Sequence, residues 1–224
     1  MEFYFQIDMN EKLYVRNPED TDLGRKIIQF SIQMIFETGI EGFTFRKLAE
    51  AVGTTEASIY RYFENKHRLL LYIVAWYWSW LEYLVSVHTQ NMSDPAMKLK
   101  KIISFLVEGD ESNMAFKHID KALLHQIVIA EGSKAYLTKH VTKDNKDKLF
   151  KPYKDLCASI ARVILEVKPD YPYSRTMAST IVEMAHLQAF FLTNLPSLTD
   201  FCNAKDKWKI CLFLENTVFA SLNT

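Results

Sequence analysis

Apolar residues in this chain recur at steps of three and four, and only six glycines and six prolines interrupt 224 residues. Such spacing lays apolar side chains along one stripe of a 3.6-residue helix, whereas a half-buried strand needs strict alternation. The chain is therefore read as all-α. Residues 1–21 read as an N-terminal arm. Leu23, Ile27, Ile28, Ile32 and Ile35 then mark a first helix, with Gly39 as a left-handed stop. Thr44 caps a second helix from Phe45 to about Val52, with Leu48 and Val52 inward. Gly53 supplies a turn, and Thr54 or Thr55 caps a third helix of two turns that aims Ile59 and Phe63 at the same core. Asn65 caps a long fourth helix, KHRLLLYIVAWYWSWLEYLVSV. Further helices are expected within 94–108, 113–131 and 133–167. Pro169 and Pro172 break the chain before two last apolar-periodic helices, 173–194 and 198–222, separated by Pro196. No internal repeat interrupts this order.

An apolar content of 49% is enough for a real core. Net formal charge is zero and the pI is near 7, so no global basic field advertises nucleic acid and any such contact has to be local. Cys157, Cys202 and Cys211 are odd in number and lack metal or redox spacing, which points to reduced, buried thiols in a cytoplasm. No uninterrupted run of about 18 apolar residues exists, and MEFYFQIDMNEK lacks the basic start and long apolar stretch of a secretion signal. A soluble, cytoplasmic protein with no membrane partner is expected.

The stretch TFRKLAEAVGTTEASIYRYFENKHRLL, Thr44 to Leu70, holds two short apolar-periodic segments around a glycine. Two short helices at a tight turn, packed on a preceding helix, make a helix-turn-helix whose second helix fits a major groove. In that geometry Thr55, Glu56, Ala57 and Ser58 approach base edges, while Tyr60 and the start of the next helix lie against phosphates. Lys66, at a helix N-terminus, is placed for an anion, and Thr44 is placed likewise on the other side.

Thr44, Arg46, Leu48, Ala49, Gly53, Tyr60, Phe63 and Lys66 fall in the order and spacing of the tetracycline-repressor (TetR) family, whose N-terminal domain this segment resembles over about residues 23–70. The resemblance implies a helix-turn-helix DNA-binding domain, 22–68, joined by the long fourth helix to a ligand-binding and dimerisation domain, 69–224. It implies DNA contacts from Thr44, Arg46, Thr54, Thr55, Glu56, Ala57, Ser58, Tyr60, Arg61, Tyr62, Lys66 and His67. It also implies a homodimer on a palindromic operator, a transcriptional repressor released by a small-molecule effector. Two features depart from the family pattern. Glu56 is a carboxylate where many relatives carry a polar or basic residue, and it repels phosphate unless it accepts from a cytosine amino group. Between Asp22 and Arg68, the cations Arg25, Lys26, Arg46, Lys47, Arg61, Lys66 and Arg68 are balanced by Asp22, Glu37, Glu41, Glu50, Glu56 and Glu64.

The block YIVAWYWSWLEY puts Tyr72, Trp76, Trp80 and Tyr83 on one helical face. A helix apolar nearly all round is usually buried, so core packing competes with an apolar effector pocket, to which Met114, Phe116, His125, Met184 and His186 add walls. His118 and His125 stand two helical turns apart, which argues against a shared metal, and no cofactor is expected. The run KHVTKDNKDKLFKPYK is basic but interleaved with Asp144 and Asp147, so a solvated helix or loop is favoured over a second nucleic-acid patch. Ile181, Met184, Ala185, Gln188 and Leu192, then Leu212, Leu214, Phe219 and Leu222, give two terminal helices apolar faces. These suit the dimer interface that the resemblance implies or an internal core. The chain offers no HExxH, GxSxG or P-loop spacing, so it is not read as an enzyme. The rival reading is a helical small-molecule-binding or adaptor protein that has lost DNA recognition.

Overall fold

The computed structural model describes residues 7–109, 118–201 and 203–223. Among them lie eleven α-helices and no strand: α1 (Asp22–Gly42), α2 (Phe45–Val52), α3 (Glu56–Tyr60), α4 (Lys66–Thr89), α5 (Pro95–Glu108), α6 (Lys121–Glu131), α7 (Ser133–Tyr136), α8 (Val141–Lys146), α9 (Lys151–Val167), α10 (Ser174–Asn194) and α11 (Lys207–Leu222). The all-α expectation holds. Met114, Phe116 and Cys202 lie outside the described residues.

Sequence punctuation sets most of the helix ends. The Asp94 carboxylate accepts from the backbone of Ala96 and Met97 to start α5, and Pro95 occupies its first position. Asn65 Oδ1 accepts from Arg68 N–H at 2.9 Å to start α4. Gly39 has φ 67°, and one further turn follows it before α1 ends; the expected stop is a kink instead. The stretch expected to be helical within 133–167 breaks into α7, α8 and α9, and α11 begins at Lys207 after a short turn at Ala204–Asp206. Segments rich in Lys, Asp and Asn bury too little to hold a continuous helix.

The chain forms two compact units, Met1–Trp80 with Asn113–Pro152, and Leu81–Ser112 with Tyr153–Thr224. In the first, α1 packs on α2, on α6 and on the turn Pro18–Asp20. Its core takes Ile27, Ile28, Ile32 and Ile35 from α1 and Leu48, Ile59 and Phe63 from the hairpin. The segment before α1 is tied into this unit. Leu13 is buried, Val15 N–H donates to the Tyr62 carbonyl at 2.8 Å, and Lys12 pairs with Asp147 at 2.6 Å. In the second unit, α5 packs on α10 and α11, and α10 on α11. Leu99, Ile102, Ala178, Val182, Ile210 and Leu214 are among its buried residues. The stretch Leu69–Trp78 of α4 is buried throughout. That helix is long and apolar enough to cross a bilayer by composition, and burial within the protein accounts for its apolarity.

Candidate nucleic-acid interface

Packing settles the inner side of the α2–α3 hairpin. Phe45, Leu48 and Ala49 of α2 and Ile59 of α3 are buried, with the Phe45 ring edge-on to Phe43 at 6.2 Å. Thr44 Oγ1 accepts from Lys47 N–H at 3.3 Å and opens α2. Gly53 closes it at φ 76°, a left-handed conformation open to glycine without strain. Thr55 then opens α3. Its Oγ1 accepts from Ser58 N–H at 3.2 Å and shares a hydrogen bond with Ser58 Oγ at 2.9 Å. The α3 helix is shorter than its sequence periodicity suggested, yet Phe63, just past its end, is fully buried. The Phe63 N–H still donates to the Ile59 carbonyl, so the chain keeps helical phase through the turn.

The outer side is polar. Thr44, Arg46, Thr55, Glu56, Ala57, Tyr60 and Arg61 are exposed, and Thr54 and Ser58 are half-buried. Tyr60 is 49% exposed while its ring rests edge-on against Phe45 at 5.0 Å, so the body is braced and the hydroxyl end faces solvent. Arg46 pairs with Glu50 at 3.3 Å in an exposed contact of little energetic weight. Lys47, which the sequence reading left out of the contact set, is exposed beside Arg46, with its ammonium on the Gly42 carbonyl at 3.0 Å. Its position next to Arg46 in the first turn of α2 was the available signal. Glu56 opens α3, where a carboxylate offsets the partial positive charge of a helix start, a local reason for its presence that the sequence reading missed.

Three members of the expected contact set point elsewhere. Tyr62 is 3% exposed, and its hydroxyl bonds Thr21 Oγ1 at 2.8 Å; it joins the hairpin to α1 and offers no side chain outward. Lys66 Nζ donates to the Ile40 carbonyl at 2.9 Å, just past the Gly39 kink, and so braces the end of α1. His67 is half-buried, 3.8 Å from the buried carboxylate of Asp144. Burial lowers its pKa, and the Asp144 charge opposes that shift.

The residues expected to line an effector site divide between the two units. Tyr72, Trp76, Trp80 and His125 belong to the first, and Tyr83, Met184 and His186 to the second. Tyr72 sits under the hairpin, edge-on to Phe63 at 5.5 Å with its hydroxyl 3.4 Å from Glu19. Trp76 and Trp80 stack at 6.3 Å. The same unit holds a polar pair the sequence did not reveal, Tyr77 Oη and His125 Nδ1 at 2.7 Å, both residues buried. His118 instead bonds Glu19 at 2.9 Å, so the two histidines serve separate contacts.

Of the expected dimer residues, Ile181, Ala185 and Leu192 are buried, Met184, Gln188 and Phe219 half-buried, and Leu212 exposed. The first three face the interior of the unit in which α10 packs on α5 and α11. The exposed apolar side of α10 and α11 includes Leu187, Trp208 and Phe213, which the sequence reading passed over. The signal was in the residues themselves: α11 carries Trp208, Leu212 and Phe213 off the buried stripe of Ile210, Leu214 and Val218, and apolar side chains on both sides of a helix want cover on both. Burial pushes the Cys157 thiol up to about 11 and the Cys211 thiol up to about 12, so both are inert at neutral pH.

Comparison with known proteins agrees with this geometry. Residues 27–73 match the family model described as bacterial regulatory proteins, tetR family. A transcriptional regulator from Rhodococcus sp. Rha1 has a similar structure at TM-score 0.65 and 16% identity, over 91% of this chain and 99% of that one. AibR, solved in complex with isovaleryl coenzyme A and operator DNA, gives 0.58 at 15% identity, over 87% of this chain and 98% of its own. Superantigen PfiT gives 0.58 at 14% identity, over 92% and 97%. No curated protein matches the chain.

Proposed function

We propose that this chain, whose N-terminal segment carries the tetR-family helix-turn-helix domain, is a DNA-binding transcription regulator that acts as a ligand-responsive repressor. The observation that carries the reading is the two-sided hairpin. Its apolar side is sealed in the core, while hydroxyls, two arginines and a braced tyrosine face outward. Arg46, Arg61 and Tyr60 hold phosphates and set the register of the protein on the duplex; Thr55, Glu56, Ala57 and Ser58 meet base edges. A cytosine amino group is the partner that satisfies the Glu56 carboxylate.

A palindromic operator presents half-sites about 34 Å apart, and a homodimer sets that spacing. Leu187, Trp208, Leu212 and Phe213 supply the apolar surface for it, and a stable interface needs at least about 1,000 Å² buried in total. The effector is an apolar or aromatic small molecule held against the rings of α4 near Trp76 and Trp80, with the Tyr77–His125 pair as polar anchor. AibR, of similar fold, was solved with an acyl thioester and operator DNA together, which supports one chain of this shape serving both partners. The effector shifts the operator equilibrium only by its differential affinity, about 1–3 kcal/mol of coupling.

A gel shift with the upstream DNA of the host's own gene tests the reading: one retarded duplex, released by a cell extract fraction of low molecular mass, is expected. The second reading, an adaptor that shares the fold without reading DNA, is favoured by the likeness to a protein known as a superantigen and by zero net charge. Failure to retard any duplex at about 50 mM salt, where phosphate attraction is strong, selects it.

A further inference from the structure

The lysine-rich stretch after α7 changes character once its carboxylates are placed. In sequence, Asp144 and Asp147 interleave with Lys139, Lys143, Lys146 and Lys148 and dilute their charge. In the fold both are taken up by other cations. Asp144 is 2% exposed, with Oδ1 3.1 Å from Arg68 Nη1. Asp147 receives Lys12 Nζ at 2.6 Å, and its carbonyl accepts from Asn10 Nδ2 at 2.9 Å. The four lysines are exposed, and none forms an ion pair among the described residues.

The backbone supports the display. Leu149 N–H returns to the Asp144 carbonyl at 3.0 Å and Lys148 N–H to Asn145 at 3.1 Å, the paired bonds of a Schellman ending. Lys148 holds the left-handed position at φ 60°, where glycine is the unstrained choice. Leu149 is buried and anchors the turn. The Arg68–Asp144 pair fastens α8 to the first turn of α4, directly after the reading hairpin, within one compact unit.

We infer that Lys139, Lys143, Lys146 and Lys148 form a second phosphate-binding surface, which holds duplex DNA outside the base pairs read by α3. The inference rests on the DNA-binding reading above. Duplex DNA carries one charge per about 1.7 Å of axis, so its backbone runs on past any half-site and meets a basic surface beside the reading head. Lysines are point charges that hold phosphates and carry no base information, which suits a flanking role. With net charge zero over the chain, attraction of this kind has to be concentrated locally. A membrane-surface helix would present a broad apolar face opposite its lysines, and α8, VTKDNK, has only Val141 to offer.

The test uses the full chain and random-sequence duplexes of about 20 and about 60 base pairs, titrated from about 50 to 200 mM salt. The wild type is compared with two fourfold variants, Lys139, Lys143, Lys146 and Lys148 all →Gln, or all →Arg. On the long duplex the Gln variant is expected to lower the log K versus log salt slope by about 2 to 4 units, one per phosphate released, and on the short duplex by less than about one. The Arg variant keeps the wild-type slope. An unchanged slope on the long duplex makes the lysines a solvated surface and overturns the inference. Equal falls on both lengths overturn the flanking placement. Loss of binding to phosphatidylserine vesicles with an unchanged DNA slope assigns the patch to a membrane instead. A wild type that binds neither duplex fails the DNA-binding reading itself, before any variant is needed.

Discussion

On α3 the exposed side carries Glu56, Ala57 and Tyr60, while on α11 it carries Trp208, Leu212 and Phe213. Both helices bury an ordinary apolar stripe on the other side, Ile59 in one case and Ile210, Leu214 and Val218 in the other. The inward stripe reports only that a helix belongs to a core. The outward residues differ in kind, and the partner each surface fits differs with them. A carboxylate and a phenol hydroxyl are solvated until a base edge or phosphate replaces water, whereas the exposed apolar side chains of α11 gain by leaving water altogether. Reading the two helices for their inward periodicity alone would make them equivalent.

The largest effect that separates inside from outside is expected at Phe63. Phe63→Ala removes a fully buried ring and is expected to cost about 3–5 kcal/mol in urea unfolding. Tyr60→Ala, on the exposed side, is expected to cost far less while weakening DNA. Equal costs at the two positions would erase the distinction on the hairpin. For α11 the expected loss is in association. Trp208→Ala should weaken self-association by about 2 kcal/mol, roughly 30-fold, as an aromatic anchor does, while changing monomer stability by less than about 0.5 kcal/mol. Sedimentation equilibrium reads the first number and thermal melting of dilute protein the second. Ile181→Ala, in the buried stripe of α10, is expected to do the reverse. A Trp208→Ala protein that dimerises as well as wild type removes this face from the interface.

A smaller contrast divides two cations of the reading unit. Arg61 is exposed, and Arg61→Ala is expected to lower the salt slope of DNA binding by about 0.9 per bound protomer with stability unchanged. Lys66 braces the Ile40 carbonyl, so Lys66→Ala is expected to leave the slope alone and lose about 1 kcal/mol of stability. Interchanged results would return Lys66 to the phosphates. The smallest effect concerns His67. Burial lowers its pKa, so the folded state prefers the neutral ring and the unfolded state binds the proton more readily. Its contribution is present above the unfolded value, about 6.5, and is lost as pH falls through the lowered value. Melting temperatures from pH 7 to 5 should fall less steeply in His67→Gln than in the wild type. Parallel curves would mean that the Asp144 charge cancels burial.

The stripe through α1, the caps at Thr44, Thr55 and Asn65 and the turn at Gly53 were all legible, because each rests on neighbours three or four residues away. Phe63 was correctly aimed at the core even though α3 stops at Tyr60, since the turn that follows preserves helical phase. The illegible features depend on partners distant in sequence. Nothing near Asp144 says that its carboxylate meets Arg68, and nothing near Lys66 says that its ammonium meets Ile40. A charged residue reads the same on a surface and in a buried pair until the fold supplies its partner. The outward residues of α10 and α11 were hidden for a different reason. Polar and apolar residues are mixed round both helices rather than confined to separate faces, so periodicity alone does not distinguish the side that faces the unit from the side that faces away.

The placement of tryptophan sorts the protein's own light emission by region. Of the four in the chain, Trp76, Trp78 and Trp80 are buried in α4 and Trp208 is 55% exposed on α11. Under selective excitation the first three are expected to emit as a blue-shifted group shielded from acrylamide, with Trp208 supplying the red-shifted, quenchable fraction. Separation of the proposed dimer on dilution should raise that fraction, while the proposed effector, entering beside Trp76 and Trp80, should perturb the shielded group. One unlabelled spectrum thereby offers two channels, one for each proposed partner.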